Sequence, residues 1–428
     1  MAAAEGTGVA SRLGAFRSLR HRNFRLFFGG QLVSLVGTWM QSVAQSWLVY
    51  RLTGSSLLLG AVGFAGQIPV FLLAPFGGTV ADHGNRRRIL VGTQAGSMVL
   101  AGCLAALTLT HRVAVWHVFV LSALLGVVNS FDIPTRQAFV MDMVGRGDLM
   151  NAIALNSSMF NGARVLGPAV AGVLVATIGE GWCFAANAVS YVAVIAGLLR
   201  MTLPPFAKRG DRAGLREVLE GFRFAAGAAP IRALLLLVAV MSFCGMPYAV
   251  LMPIFSDRIL HGGARTLGVL MACSGLGALA GSLLLAARQE LAGLGTWVAA
   301  AAAGFGISIA AFAMSRAIWL SALLLVPAGL SLLVQMASAN TLIQAMVPDA
   351  LRGRVMALYS MMFMGMAPLG SMLAGAVAEK VGAPATVVGG GVVCVLAGLL
   401  FRAVLPGLRE EGRRLVAARG AAALPVEE

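Results

Sequence analysis

Charge is the first thing this chain has little of. Of 428 residues only 11% are Asp, Glu, Lys or Arg, where a soluble domain carries roughly 25%. The 17 acidic residues fall in loops, tails or at the ends of apolar runs, and none in the middle of one. Cysteine is scarce too: Cys103, Cys183, Cys244, Cys273 and Cys394 each stand alone in an apolar run. Without paired or metal-ligand spacing they exclude a disulfide scaffold or a zinc module and read as core residues. His21, His83, His111, His117 and His261 are scattered, so no metal site and no cofactor is implied. No GxxxxGK[ST] loop is present, which excludes ATP hydrolysis by a P-loop. No acid/base pair sits at one depth, which disfavours a membrane enzyme. The basic N-terminal stretch leads into an apolar run too long for a signal peptide, so no cleavage is expected there.

What is present is apolar sequence: 59% of residues are hydrophobic, and mean hydropathy is +0.86. About 20 apolar residues cross a membrane. Twelve such runs can be placed, at 26–50, 57–81, 89–109, 114–134, 150–178, 182–202, 231–256, 266–287, 292–314, 317–343, 353–379 and 383–405. The expected organisation is a tail at 1–25, a six-helix bundle at 26–203, a linker at 204–230, a second bundle at 231–405 and a tail at 406–428. In the linker, Leu215, Val218, Leu219, Phe222 and Phe224 recur near helical spacing, which predicts an amphipathic surface helix over 214–226.

The net charge of +15 sits in short loops, where it reads as topology and anionic-lipid contact rather than nucleic-acid binding. With both termini cytoplasmic, the inner side carries 25 Lys+Arg and the outer loops six, Arg51, Arg112, Arg258, Arg265, Arg316 and Lys380. That asymmetry predicts a multi-pass protein of the inner (plasma) membrane with both ends inside.

The chain also contains one stretch twice. A shift of 203 positions lays 134–179 on 337–382 without a gap, and 10 of the 19 positions from Ala154 to Gly172 are then identical. The pairs include Gly162/Gly365, Gly167/Gly370 and Gly172/Gly375. Two like halves with a site between them near mid-membrane is a transporter plan.

The loop after the second run reads Gly77-Gly78-Thr79-Val80-Ala81-Asp82-His83-Gly84-Asn85-Arg86-Arg87-Arg88. It resembles the signature loop of the major facilitator superfamily, with His83 and Asn85 departing from the commonest form. Phe16–Tyr50, Asp132–Val140 ("DIPTRQAFV") and Asn151–Gly172 are similar to one bacterial branch, that of drug:proton antiporters and the enterobactin exporter. The equivalent loop in the second half is degenerate, with Leu285 where an Asp would stand. The resemblance implies an all-α membrane fold of two pseudo-symmetric six-helix bundles. It also implies a monomeric secondary transporter that exports a small amphipathic compound, drug- or siderophore-like, by alternating access with proton antiport. A lipid or lysophospholipid flippase, a nutrient importer and a non-transporting scaffold or sensor remain alternatives.

Several residues are candidates on this basis. The resemblance makes Gly78, Asp82, Arg86, Asp132 and Arg136 a cytoplasmic gate, with Arg86 bridging acids. Arg87 and Arg88 read as positive-inside anchors, and Asp132 and Arg136 are spaced to pair locally instead. Asp132 is also the available proton carrier. Gln31, Ser34, Thr38, Gln41 and Gln45 form one polar stripe, either lining a cavity or bonding to other helices. Arg164 stands alone inside a span, either to bind an anionic group, or to satisfy carbonyls near Pro168 or pair with Asp132. Asn129, Asn161, Tyr248, Gln335 and Tyr359 complete the expected substrate cavity. Gly162, Gly167, Pro168, Gly172, Gly365, Gly370 and Gly375 are expected to form a close-packed seam that can rock. Met356, Met361, Met362, Met364, Met366 and Met372, around Tyr359 and Phe363, suit either core filling or a pocket for varied apolar ligands.

Overall fold

The computed structural model describes residues 16–202, 215–288 and 293–422; residues 1–15, 203–214, 289–292 and 423–428 lie outside these. The side chains of Leu215, Val218 and Leu219 lie outside the described set as well. The first helices are α1 (Arg22–Thr53), α2 (Ser56–His83) and α3 (Arg86–Leu109). A helical run Val115–Thr177 follows, broken at Gly145, and its arms are α4 (Val115–Gly145) and α5 (Gly147–Thr177). Then come α6 (Glu180–Leu199), α7 (Leu215–Gly227), α8 (Ala229–Ile259), α9 (Gly263–Ala286), α10 (Leu294–Met314), α11 (Ile318–Met346), α12 (Leu351–Val381) and α13 (Ala383–Ala422). No strand occurs among the described residues.

Eleven of these helices are long and apolar enough to cross a membrane. The twelfth is α1, whose 32 residues span about 48 Å. Its polar stripe is what lowers its hydropathy. The chain is therefore an all-α membrane protein, because only helices or closed barrels satisfy backbone groups in lipid.

The chain divides into two compact units. The first holds residues 1–48 and 68–211, the second 49–67 and 212–428. Residues 49–67, the end of α1 and the first part of α2, which form the tip of the α1–α2 hairpin, thus group with the second unit. Inside the first unit α3 packs on α6 and on the α4–α5 run; inside the second, α10 packs on α13 and α11, and α9 on α11.

One expectation is corrected. The fourth span does not end at 134: α4 continues to Gly145, so Asp132 lies within a helix rather than at its end. Phe139, Val140, Met143 and Val144 recur at helical spacing and are buried against Phe24, Phe27, Leu155 and Leu198, which carries the helix through a stretch that looks like a polar loop. Gly145 breaks it with a φ of 68°, a conformation cheap only for glycine. The helices α8 and α12 are not regular. Each widens into π turns, at Met241–Gly245 and Phe255–Ile259 in α8 and at Met361–Gly365 in α12.

Glycines set the helix spacing. A Cβ at Gly277 of α9 would lie 1.9 Å from the Val326 carbonyl oxygen, and one at Gly329 of α11 1.9 Å from that of Ser274. Backbone cannot yield as a side chain can. Gly329→Ala is expected to destabilise the protein, by about 1–3 kcal/mol or more for such overpacking. Gly162→Ala, where a Cβ meets nothing within 4 Å, is expected to be neutral or to stabilise by up to about 1 kcal/mol through helix propensity. Thermal unfolding of the two purified variants in one detergent checks the opposite signs.

Candidate functional site

Within each unit, call the end of the bundle nearer that unit's chain terminus its terminal side. There, in the first unit, Asn85 caps α3 by accepting the Arg88 N–H at 3.1 Å. That cap positions Arg86, whose side chain is 11% exposed. Its Nη1 donates to both oxygens of Asp142 at 3.0 Å, and its Nε to the Ala81 carbonyl at 3.1 Å. Asp82, 64% exposed, is 3.6 Å away. The acid on the α4 run that meets Arg86 is Asp142, not Asp132, which corrects the expected gate. The continuation of α4 brings Asp142 into reach, ten residues beyond Asp132. Arg87 donates to the Leu199 carbonyl at 2.5 Å. At Gly78 an added Cβ meets nothing within 4 Å, so packing does not explain a glycine there.

Asp132 is buried, with 3% of its surface exposed. Its Oδ1 accepts from Thr93 Oγ1 and Gln94 Nε2, each at 2.8 Å, and its Oδ2 lies 3.3 Å from Arg136. The local pair with Arg136 has therefore won. Asp148 collects three more basic groups: Arg17, Arg20 at 2.8 Å and His21 at 2.7 Å. Ser18 bonds the Asp148 carbonyl and Asn151. This clasp fixes the turn before α1 to the start of α5. An Asp directly after Gly147 and three residues before Asn151 was its only sequence signal.

The α1 stripe separates into parts. Gln41 accepts from Asn187 of α6 at 2.7 Å, and Gln45 donates to Ser122 of α4 at 3.0 Å. Both are thus helix-to-helix bonds, which corrects the cavity expectation for them. Gly37 allows the α6 contact, since a Cβ there would lie 2.4 Å from Asn187 Oδ1. Gln31 and Ser34 are buried, and Thr38 is exposed while donating to the Ser34 carbonyl. Asn129 is half-buried, and Asn161 donates to its own helix at Ser157.

Arg164 has a different environment. Its guanidinium carbon lies 5.8 Å from the Trp39 ring centre. Phe160, one turn earlier on α5, meets the same ring edge-on at 5.7 Å. Gly167 lets α5 approach, since a Cβ there would lie 2.4 Å from Trp39 Cβ. The side chain is half-buried and makes no hydrogen bond or ion pair among the described residues. It neither bonds carbonyls near Pro168 nor pairs with Asp132. Pro168 and Gly172 are buried in α5.

The second unit repeats part of this. Gly370 of α12 stands against α8, where a Cβ would lie 2.0 Å from the Phe243 carbonyl oxygen. Gly365 is buried in the π turn, and Gly375 meets Gly60. By contrast Gly162 of the first unit makes no close approach. Tyr248 bonds Ser274 at 2.8 Å, and Tyr359 donates to the Met336 carbonyl at 2.9 Å, tying α12 to α11. Gln335 is fully buried, and neither its amide oxygen nor its nitrogen has a partner. At the opposite side, Glu379 of α12 accepts from Ser55 Oγ, from the Ser56 N–H and Oγ, and from the Leu57 N–H at 2.7–3.2 Å. Tyr50 donates to Asp257 at 2.7 Å, and Arg258 to the Gly54 carbonyl at 3.0 Å. These contacts hold the hairpin inside the second unit. Sequence inspection missed Asp142, Asp148 and Glu379.

With this geometry in place, residues 13–416 match the family of transmembrane secretion effectors within the major facilitator superfamily. The chain belongs to this family. It is 28% identical to the multidrug efflux pump Tap of Mycolicibacterium fortuitum over 89% of this chain and 94% of that one. It is 25% identical to the staphyloferrin A transporter of Staphylococcus aureus, covering 87% and 94%. The enterobactin exporter EntS of Escherichia coli O81 is also 25% identical, covering 91% and 93%. Among solved structures, a bacterial homolog of the human lysosomal transporter Spinster matches with a TM-score of 0.70 at 15% identity, over 91% of this chain and 98% of that one. A POT family transporter matches with 0.72 at 10%, over 90% and 96%. The secretion-effector family is one of transporters, not enzymes, and the chain is a multi-pass membrane transport protein.

Proposed function

We propose that this transporter exports a small amphipathic organic anion across the cytoplasmic membrane by alternating access, in exchange for protons, with both termini in the cytoplasm. Arg164 carries the proposal. It is a cation inside a spanning helix, with an aromatic ring beside it and no acid paired to it among the described residues. A charge at that depth is costly and marks a substrate or ion path. An anionic group on the substrate would complete the guanidinium's bonding, and the Trp39 and Phe160 rings offer apolar surface next to it. In the second unit, the unpartnered amide of Gln335 offers a donor and an acceptor. The relatives named for efflux and export support the direction, and the count of 25 inner against six outer basic residues supports the orientation.

Proton exchange draws support from Asp132, a buried carboxylate within α4. The test is flux of an organic anion into proteoliposomes under an imposed pH gradient. Flux is expected to rise when protons run against the substrate, and to lose that gain with a protonophore or in Asp132→Asn. Flux indifferent to the gradient rejects antiport, and transport of neutral compounds alone rejects the anion class.

A further inference from the structure

A cavity of about 600 Å³ lies in the second unit, at the terminal side of α8, α10, α11 and α13. That is the size of a small-molecule pocket. Its walls are nearly all apolar, with Leu234, Leu342, Met346, Phe401 and Leu405 among them. Two polar side chains line it, Arg409 and Arg413 of α13. Both are exposed and one helical turn apart on the same face. Arg409 donates to Thr296 at 3.0 Å, and Arg413 makes no hydrogen bond or ion pair among the described residues. The acids next to them in sequence are engaged elsewhere: Glu410 by Arg414, and Glu411 by the Ala229 N–H at the start of α8. Neither carboxylate pairs with Arg409 or Arg413, so the mouth presents two guanidinium groups without an ion-pair partner among the described residues, while the interior is apolar.

Depth fits this division. The 40 residues of α13 span about 60 Å, twice the hydrocarbon thickness. Some 20 residues from Ala383 take up the hydrocarbon, so Phe401 and Leu405 fall near its edge and Arg409 and Arg413 at headgroup level and beyond.

We propose that this cavity binds one anionic phospholipid of the cytoplasmic leaflet, an acyl chain lying among Leu234, Leu342, Met346, Phe401 and Leu405 and the phosphate held by Arg409 and Arg413. Charge complementarity selects this occupant, since a neutral or zwitterionic lipid gains less from two adjacent guanidinium groups. The assignment of leaflet rests on the orientation proposed above; the pocket itself does not.

The test uses the full chain in phosphatidylcholine nanodiscs doped with phosphatidylglycerol, and native mass spectrometry of the lipid retained on release. The wild type is expected to retain phosphatidylglycerol over phosphatidylcholine. The exposed double variant Arg409→Gln/Arg413→Gln is expected to bind phosphatidylglycerol roughly thirtyfold more weakly, with phosphatidylcholine retention unchanged. Leu342→Trp, which fills the pocket, is expected to reduce phosphatidylglycerol retention with both arginines intact. Wild-type retention in either variant overturns the proposal, as does equal loss of both lipids from the arginine variant. Labelling of Arg413→Cys by an impermeant maleimide, measured against the parent in oriented vesicles, tests the leaflet separately.

Discussion

Arg164→Ala is expected to weaken binding and transport of an anionic substrate by about 10- to 150-fold, and to leave a neutral analogue of it nearly unaffected. The magnitude follows from the roughly 1.5–3 kcal/mol that a hydrogen bond to a charged group contributes, at 1.4 kcal/mol per tenfold. Within the first unit the side chain touches a ring but no carboxylate, so no internal ion pair is broken by the change. Removing it leaves no uncompensated buried acid, which separates this case from the usual loss of a buried pair. Arg164→Lys keeps the charge and loses the planar fork, and it is expected to fall between wild type and alanine. The competing account is that Arg164 serves only to hold Trp39 against α5. Under that account the anion and its neutral ester lose transport together, and Trp39→Leu matches Arg164→Ala for both. Paired flux assays on an acid and its methyl ester, in proteoliposomes carrying equal amounts of each variant, decide between them.

What could be read from the chain follows from which properties are local. A glycine's φ and the distance at which it lets another backbone approach depend on the residue itself, so the duplication carries both. Gly179 and Gly382, 203 residues apart, both have positive φ, at 90° and 86°. Gly167 and Gly370 both stand where a Cβ would strike the first helix of the bundle, α1 in one unit and α8 in the other. Apolar run length likewise marks the spans, because lipid imposes it on each helix separately. Side-chain partners are another matter. Arg86 meets Asp142 and not Asp132 because α4 runs on for three more turns, and the burial of Phe139, Val140, Met143 and Val144 that makes it do so was hidden among Arg, Gln and Asp. Gln41 and Gln45 look identical in a helical projection to residues lining water; only the positions of Asn187 and Ser122 show that they face helices. The π turn at Met361–Gly365 adds a residue to one helical turn. A pattern based on 3.6 residues then misassigns every face beyond it, the methionine cluster included.

Glu379→Gln is expected to speed amide exchange at Ser56 and Leu57 by at least about tenfold, with exchange around Gly277 and Gly329 unchanged. The first turn of a helix has four N–H groups without internal partners, and α2 has two of them answered by a carboxylate from another helix, at 2.9 and 3.2 Å. The negative charge also meets the positive end of the α2 dipole. Glutamine keeps the shape and one acceptor oxygen but loses the charge, and charged hydrogen bonds are roughly twice as strong as neutral ones. Tyr50–Asp257 and Arg258–Gly54 hold the other arm of the hairpin, so Glu379→Gln alone loosens α2 without releasing α1. Adding Tyr50→Phe is expected to extend faster exchange to the end of α1. On the alternating-access proposal, release of this hairpin is part of opening on that side, and the double variant is expected to change turnover more than either single change. Protection that is the same in wild type and Glu379→Gln would mean that the carboxylate is incidental, and that the close contact of Gly60 with Gly375 is enough to hold the hairpin in place.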